Sequence, residues 1–172
     1  MTERFNNHIR VFLAGMMIGL PSIGATQPGG DTDFARIRSA AVEPNPVTPG
    51  KKATLTVTVA IAEGFHINAN QPGSDMYIPT VLTVSAPKTA GITLGPVVYP
   101  KPRTIPVSFD PKPLKAYEET ITITVPVTVP SNAKPGVVRL SGSLRAQGCN
   151  DTTCFPPKTF PIAVRLTIAG GK

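Results

Sequence analysis

Prolines are spread along this chain of 172 residues at a density that disfavours a helical fold. The sequence contains 20 prolines and 15 glycines. Proline has no backbone N–H and breaks helix interiors, whereas turns and strand edges tolerate it. Aromatic residues make up 6% of the chain and tryptophan is absent, so the core must be built from aliphatic side chains. The composition therefore predicts short strands joined by many turns.

Between the prolines, apolar residues alternate with polar ones at the period of two that is typical of β-strands. The clearest alternation lies at 54–61, 121–129, 138–146 and 162–168, with shorter apolar runs at 77–84, 92–94 and 97–99. These segments predict an all-β fold, an immunoglobulin-like two-sheet sandwich. We expect this domain to span residues 39–170, after a flexible lead-in at 26–38.

Residues 1–25 have the pattern of a signal peptide. Arg4 and Arg10 supply a positive start, and an apolar run follows at 11–20. A run of about ten residues suits a signal core and is short for a bilayer span. We place cleavage near Ala25, with an uncleaved membrane anchor as the alternative. Export predicts a soluble domain in an oxidising compartment, where cysteines can form a disulfide.

The formal net charge is +7, and the basic residues are scattered without a continuous run. This pattern indicates a solvated surface rather than a nucleic-acid interface. Beyond the signal segment His66 is the one histidine and Met76 the one methionine. A metal site needs more ligands. We therefore expect no nucleic-acid partner, no metal, no other cofactor and no small-molecule substrate. For His66, a proton relay and a hydrogen-bonded strand residue are both open interpretations.

The two cysteines, Cys149 and Cys154, are separated by turn-forming residues that can bring their sulfurs within bonding range. A structural staple and a redox centre are both consistent with this spacing. Closing a loop of about six residues contributes roughly 2 kcal/mol, so a staple adds little to the strands. A tight-loop disulfide that is strained or exposed is also more easily reduced.

The residues that flank the cysteines suit contact with another protein. Gly148 would let a partner backbone approach closely, and Phe155, Pro156 and Pro157 would form a rigid apolar rim for partner docking. Residues 100–117 are rich in proline and show no clean period, which predicts a long, stiffened loop. Loops of that length are often functional, with a surface crossover as the alternative.

Two segments resemble the N-terminal periplasmic domain of the thiol:disulfide interchange protein DsbD. The more specific segment is Q-G-C-N-x3-C-x-P-P at 147–157, and H-I-N-x-N at 66–70 supports it independently. Matching residues also occur at 78–80 and 117–118, so that the resemblance covers about residues 40–169.

The resemblance implies an immunoglobulin-like redox domain, a protein-disulfide reductase module linked to cytochrome c biogenesis. Such a domain takes electrons from a thioredoxin-like protein and passes them to oxidised periplasmic proteins. Cys149 and Cys154 match the redox pair, with Cys154 as the contact sulfur and Cys149 as the resolver. Residues 100–117 lie where a mobile cap is expected; Phe109 would be the shielding aromatic, and Asp110 and Tyr117 would belong to the cap.

Some positions depart from the family pattern. Val107 and Ser108 stand where the best-known members carry acidic residues, and Ala146 stands where they have an aromatic. The chain ends after this domain, so we expect a separate membrane electron donor besides thioredoxin-like partners, and a monomer. A non-enzymatic β-sandwich adaptor with a structural disulfide is the alternative function, and metal delivery is a third.

Overall fold

The computed structural model describes residues 33–170, and the predicted signal peptide lies outside them. Within that range the chain forms eleven β-strands and one short 3-10 helix, Lys88–Ala90. The strands are β1 Ala35–Glu43, β2 Lys52–Ile61, β3 His66–Asn68, β4 Val81–Ser85, β5 Thr93–Leu94, β6 Arg103–Val107, β7 Asp110–Tyr117, β8 Thr120–Thr128, β9 Gly136–Ala146, β10 Gly148–Cys149 and β11 Lys158–Ile168. None of the described residues belongs to a helix long and apolar enough to cross a membrane.

Two antiparallel sheets form the sandwich that the sequence predicts. One has the order β1-β2-β8-β5 and the other the order β11-β9-β4. In β2 the side chains of Leu55, Val57 and Val59 are fully buried, and the threonines between them face the other way. Equivalent apolar residues of β8, β9 and β11 complete one core cluster. These four strands supply most of the residues of the core. Burial of each aliphatic side chain contributes about 1.5–3 kcal/mol to the free energy of unfolding.

A third sheet, with the order β10-β3-β7-β6, adds to the sandwich and was not predicted. Residues 100–117, predicted to be a loop, contain the antiparallel hairpin of β6 and β7 instead. Pro106 lies on the edge strand, and Pro111 and Pro113 lie in the part of β7 that pairs with β6 alone. Edge positions tolerate a missing backbone donor, which reconciles the prolines with a hairpin.

The N-terminal part of the sandwich begins earlier than predicted. Strand β1 starts at Ala35, within the expected lead-in at 26–38, and Phe34 is fully buried. A register shift between Ile37 and Ser39 interrupts the alternation of β1. Such a bulge changes which residues face inward, and this explains why period two did not identify the strand.

The ring of Phe34 packs against Gly148 in β10. A Cβ atom at Gly148 would overlap that ring, so the position requires glycine. Phe34 also contacts Phe160 edge-on, with ring centroids 6.1 Å apart. The predicted role of Gly148 in partner docking is therefore corrected, because the close approach there comes from the chain's own core.

We expect Gly148→Ala to lower the free energy of unfolding by about 1–3 kcal/mol, since over-packing forces the ring of Phe34 to move. Denaturant unfolding measures this change. Gly170→Ala is the matched control, because nothing lies within 4 Å of a Cβ added there. Equal midpoints for the two variants would contradict the packing described.

Candidate functional site

Cys149 and Cys154 form a disulfide at the end of β10. Their Cα atoms are 4.0 Å apart, and the two residues also pair as an antiparallel bridge. Asn150 folds the loop between them: its N–H donates to the carbonyl of Thr153 at 2.9 Å. Its side-chain Oδ1 accepts from the N–H groups of Thr152 and Thr153 at 3.0 and 2.9 Å. This Asx-type turn closes the loop by backbone contacts as well as by the disulfide.

The two sulfur atoms differ in access. Cys149 is 0% exposed, whereas Cys154 is partly exposed. The difference follows from position, because Cys149 lies in β10 opposite His66 of β3, and Cys154 lies on the returning arm. Of the two cysteines, Cys154 is therefore the one with surface open to solvent.

An amide network lies behind the disulfide. The side-chain NH2 group of Asn68 donates to the carbonyl of Ile78 at 3.0 Å and to Oε1 of Gln147 at 2.9 Å. That Oε1 also accepts from the N–H of Ile78 at 3.1 Å, and Nε2 of Gln147 donates to the carbonyl of Phe155 at 3.1 Å. The network ties β3 to both sides of the cysteine loop, and residue types alone did not predict it.

The tip of the β6–β7 hairpin covers the cysteine loop. Val107 pairs with Asp110, which leaves Ser108 and Phe109 as the two tip residues. Both the N–H and the hydroxyl of Ser108 donate to the carbonyl of Asp151, at 3.1 and 2.7 Å. The tip is therefore bonded directly to the loop between the cysteines.

A cleft of about 270 Å³ lies beneath the tip, and its lining includes the sulfur-bearing Cys154. The other lining residues are Met76, Tyr77, Phe109, Gln147, Thr152 and Thr153. Phe109 is 38% exposed, so its ring lies at the mouth of the cleft rather than in the core. The structure thus brings Phe109 and Cys154 together.

Tyr77 and Asp110 hold the tip from the other side. The hydroxyl of Tyr77 donates to the carboxylate of Asp110, and Oδ1 of Asp110 accepts from the N–H of Lys112 at 2.8 Å. The bond to Asp110 raises the pKa of Tyr77 to about 12. The same bond, together with the backbone donor, lowers the pKa of Asp110 from 3.8. Tyr77 was not among the residues predicted for the cap.

His66 is 2% exposed and lies opposite Cys149 in the strand pairing. Burial lowers the pKa of His66, while the charges of Glu118 and Asp151 oppose that shift. Its Nε2 atom has no hydrogen-bond partner among the residues described. The interpretation of His66 as a hydrogen-bonded strand residue therefore does not hold at that atom.

The other residues predicted for the site differ in their burial. Tyr117 is 2% exposed at the far end of β7, where its hydroxyl donates to Oδ1 of Asn70 at 2.7 Å. The ring of Phe155 packs on Phe65, with centroids 5.7 Å apart. Pro156 is exposed and Pro157 is half-buried. The structure therefore places Tyr117 in the core and leaves the proline rim accessible.

The fold and the site together define an antiparallel β-sandwich domain with a disulfide under a hairpin tip. The family described as thiol:disulfide interchange protein DsbD, N-terminal, matches residues 37–165. The chain belongs to this family, which confirms the resemblance seen in the sequence. No curated protein matches the chain.

Solved structures similar to this chain include the N-terminal periplasmic domain of ScsB from Proteus mirabilis. The two are 15% identical with a TM-score of 0.51, and the match covers 80% of this chain and 47% of that one. The reduced DsbD N-terminal domain of Neisseria meningitidis is 19% identical, with a TM-score of 0.37 and coverage of 69% and 78%. A ScaB type I cohesin from Pseudobacteroides cellulosolvens is 13% identical, with a TM-score of 0.47 and coverage of 81% and 94%. The ScsB likeness supports the fold alone.

We expect Tyr77→Phe to make the disulfide react about threefold faster with a phosphine reductant at neutral pH, because the tip loses one of its bonds. Stopped-flow loss of the disulfide measures the rate. Tyr99→Phe is the matched control, since the hydroxyl of Tyr99 accepts from the N–H of Leu82 away from the tip. Equal rates for the two variants would contradict a holding role for Tyr77.

The advantage of Tyr77→Phe should also depend on pH. The pKa of Asp110 is lowered in the folded chain, so the bond from Tyr77 contributes fully above 3.8 and is lost as the pH falls through the lowered value. The rates of the natural chain and of Tyr77→Phe should therefore converge in that acidic range. A rate ratio that is constant with pH would exclude the carboxylate form of Asp110 as the acceptor.

Proposed function

We propose that this domain performs thiol:disulfide interchange in the periplasm. It passes electrons from a thioredoxin-like donor to oxidised periplasmic proteins through Cys149 and Cys154. The observation that carries the proposal is the pairing of one buried sulfur with one accessible sulfur beneath a separately bonded hairpin tip. Membership of the DsbD N-terminal family supports the same chemistry.

Reduction of the domain proceeds by attack of the donor's thiolate on Sγ of Cys154. The disulfide breaks, Cys149 leaves as a thiolate and takes up a proton, and a mixed disulfide joins Cys154 to the donor. The donor's second thiolate then attacks the donor sulfur that is bonded to Cys154. The donor becomes a disulfide, and Cys154 is released as a thiolate. Two electrons enter the domain as the donor becomes a disulfide, so atoms and electrons balance.

Transfer to an oxidised protein reverses the roles. Cys154 as a thiolate attacks the substrate disulfide and forms a mixed disulfide, and one substrate sulfur leaves and is protonated. Cys149 then gives up its proton and attacks Sγ of Cys154, which re-forms the domain's disulfide. The second substrate sulfur leaves and takes up a proton, so the substrate is released as a dithiol. Access assigns the roles, because Cys149 is buried and reaches only Cys154.

The hairpin tip is proposed as the cap over this chemistry. Phe109 shields Cys154, and Ser108 and Asp110 hold the tip through Asp151 and Tyr77. Because these bonds lie at the surface, a docking partner can replace them without disturbing the core. The exposed Pro156 and the neighbouring Phe155 and Pro157 supply the apolar rim on which the partner docks.

Periplasmic location is supported by the signal-like pattern of residues 1–25 and by membership of the DsbD N-terminal family. Thioredoxin-like proteins are the proposed partners, and the domain acts as a monomer without a cofactor. The competing proposal, an adaptor with a structural disulfide, requires the bond to hold the loop together. The hydrogen bonds of the Asn150 turn already hold the loop together, which favours interchange.

We expect Cys149→Ser to accumulate a mixed disulfide through Cys154 when the protein is mixed with an oxidised thioredoxin-like protein under limiting reductant. The domain's own resolving thiol is absent, so the intermediate cannot proceed to the domain disulfide and is lost only by return attack of the partner's second thiol. Non-reducing electrophoresis with mass spectrometry identifies the joined cysteines. Cys154→Ser is the matched control and should trap far less, because Cys149 is buried. Equal trapping by the two variants would contradict the assigned roles. No trapping by either variant would favour the adaptor.

Reduction should leave the fold intact. The disulfide closes a loop of about six residues and contributes roughly 2 kcal/mol, which is small beside the burial of the sandwich core. Thermal melts followed by circular dichroism, with and without reductant, measure this. A modest fall in Tm with a cooperative transition is expected. A reduced chain that is unfolded at room temperature would support a structural staple.

A further inference from the structure

An uncommitted acceptor lies beside the buried sulfur. Oδ1 of Asn68 is 3.9 Å from Sγ of Cys149, within reach of an S–H···O hydrogen bond. Asn68 is itself 0% exposed. A disulfide sulfur carries no hydrogen, so in this oxidised state Oδ1 receives no hydrogen bond from any residue in 33–170. A buried acceptor without a donor is costly, and this one faces a sulfur that gains a hydrogen on reduction.

Backbone groups determine which way the Asn68 amide faces. The carbonyl of Ile78 only accepts and its N–H only donates, and the carbonyl of Phe155 only accepts. The contact with the N–H of Ile78 makes the nearer Gln147 atom Oε1, and Nε2 of Gln147 reaches Phe155. The Asn68 atom that contacts both Oε1 and the Ile78 carbonyl must then be Nδ2. Oδ1 is therefore the atom that faces Cys149.

We propose that Asn68 is the acceptor for the thiol hydrogen of Cys149 in the reduced domain, and that Gln147 is the positioning residue that holds Asn68 in place. When the disulfide opens, Cys149 leaves as a thiolate and takes up a proton, and the resulting S–H group donates a hydrogen bond to Oδ1. The bond exists only in the reduced state and therefore stabilises that state.

The proposed bond has a consequence for electron transfer that rests on the proposed function. Hydrogen bonding to the neutral form of a titratable group favours that form, so Cys149 is held as a thiol. The thiolate is the nucleophile, so Cys149 attacks a mixed disulfide at Cys154 only after it gives up the proton shared with Asn68. The bond therefore slows the step by which Cys149 resolves that mixed disulfide.

His66 is the competing acceptor, because it lies opposite Cys149 and its Nε2 is buried without a partner among the described residues. The geometry favours Asn68, since Oδ1 lies 3.9 Å from Sγ with hydrogen-bonding geometry and Nε2 makes no such contact. His66 is therefore the natural matched control, a residue of the same short strand that faces the same sulfur.

The test uses the full chain with Cys154→Ser, in which Cys149 is the one remaining thiol. The infrared S–H stretching band reports directly whether that thiol donates a hydrogen bond. With Asn68 present, the band should lie at the lower frequency of a bonded thiol. Adding Asn68→Leu, which has a similar volume and no acceptor, should move it to the frequency of a free thiol. His66→Phe should leave it unchanged.

Several results would overturn the proposal. A band at the free-thiol frequency with Asn68 present would do so, even if Asn68→Leu fails to fold. A band that moves with His66→Phe and not with Asn68→Leu would transfer the role to His66. Gln147→Leu removes one of the two acceptors of the Asn68 Nδ2 group and leaves Oδ1 in the chain, so it should move the S–H band by less than Asn68→Leu does. A band that Gln147→Leu leaves unchanged would contradict the positioning role of Gln147.

Redox equilibrium provides a second readout in the chain with both cysteines. Asn68→Leu should lower the equilibrium constant for reduction by glutathione about threefold, because a weak S–H donor loses its acceptor. An unchanged or raised constant would contradict the proposal. Neither readout needs a thioredoxin-like partner. If Asn68→Leu shifts the S–H band but the domain exchanges no disulfide with a thioredoxin-like protein, the proposed function fails and the Asn68 proposal stands. If the domain does exchange but Asn68→Leu leaves the band unchanged, the Asn68 proposal fails and the proposed function stands.

Discussion

The pairing of β10 with β3 is the contact on which the candidate site depends. It joins only Gly148 to Ile67 and Cys149 to His66. Strands this short are not stable alone, so the pairing needs support from both sides. Phe34 packs against Gly148 from the core, and the Asn68–Gln147 amides bond across the strands. These contacts hold β10 in a position in which Cys149 is buried and Cys154, on the returning arm, is partly exposed.

The unequal exposure of the two sulfurs links the fold to the proposed chemistry. Thiol reactivity depends on access as well as on thiolate fraction, and residue exposure already separates the two cysteines. In the proposed mechanism the hairpin tip modulates that access, and its bonds to Asp151 and Tyr77 lie at the surface. Segments with few buried contacts open at little free-energy cost, which favours a tip that opens before the sandwich does.

Sequence patterns predicted the strands in which apolar and polar residues alternate over several positions. Strands β2, β8, β9 and β11 are long enough to show clear alternation, and all four were predicted. Strands β3 and β10 are too short to have a period, and a bulge interrupts β1. The prolines of β6 and β7 read as a loop because nothing in the sequence shows that they lie at a sheet edge.

The cysteine pair was predictable as a site because the chain has two cysteines and therefore one possible intramolecular bond. The roles of its neighbours were not. Gly148 suggested room for a partner, yet the ring of Phe34 fills that space. Tyr77 carried no signal, since it lies outside any strand and its partner Asp110 is 33 residues away in β7.

The sequence by itself determined the all-β class, the aliphatic core, the single possible disulfide and the family, because these follow from composition, period and local motifs. Only the tertiary structure decided which sulfur is buried, what covers the other, and that Asn68 lies beside Cys149 from a position 81 residues away. The physical reason is that sheet pairing sets contacts between distant residues. Neither a period of two nor a short motif carries the register of that pairing.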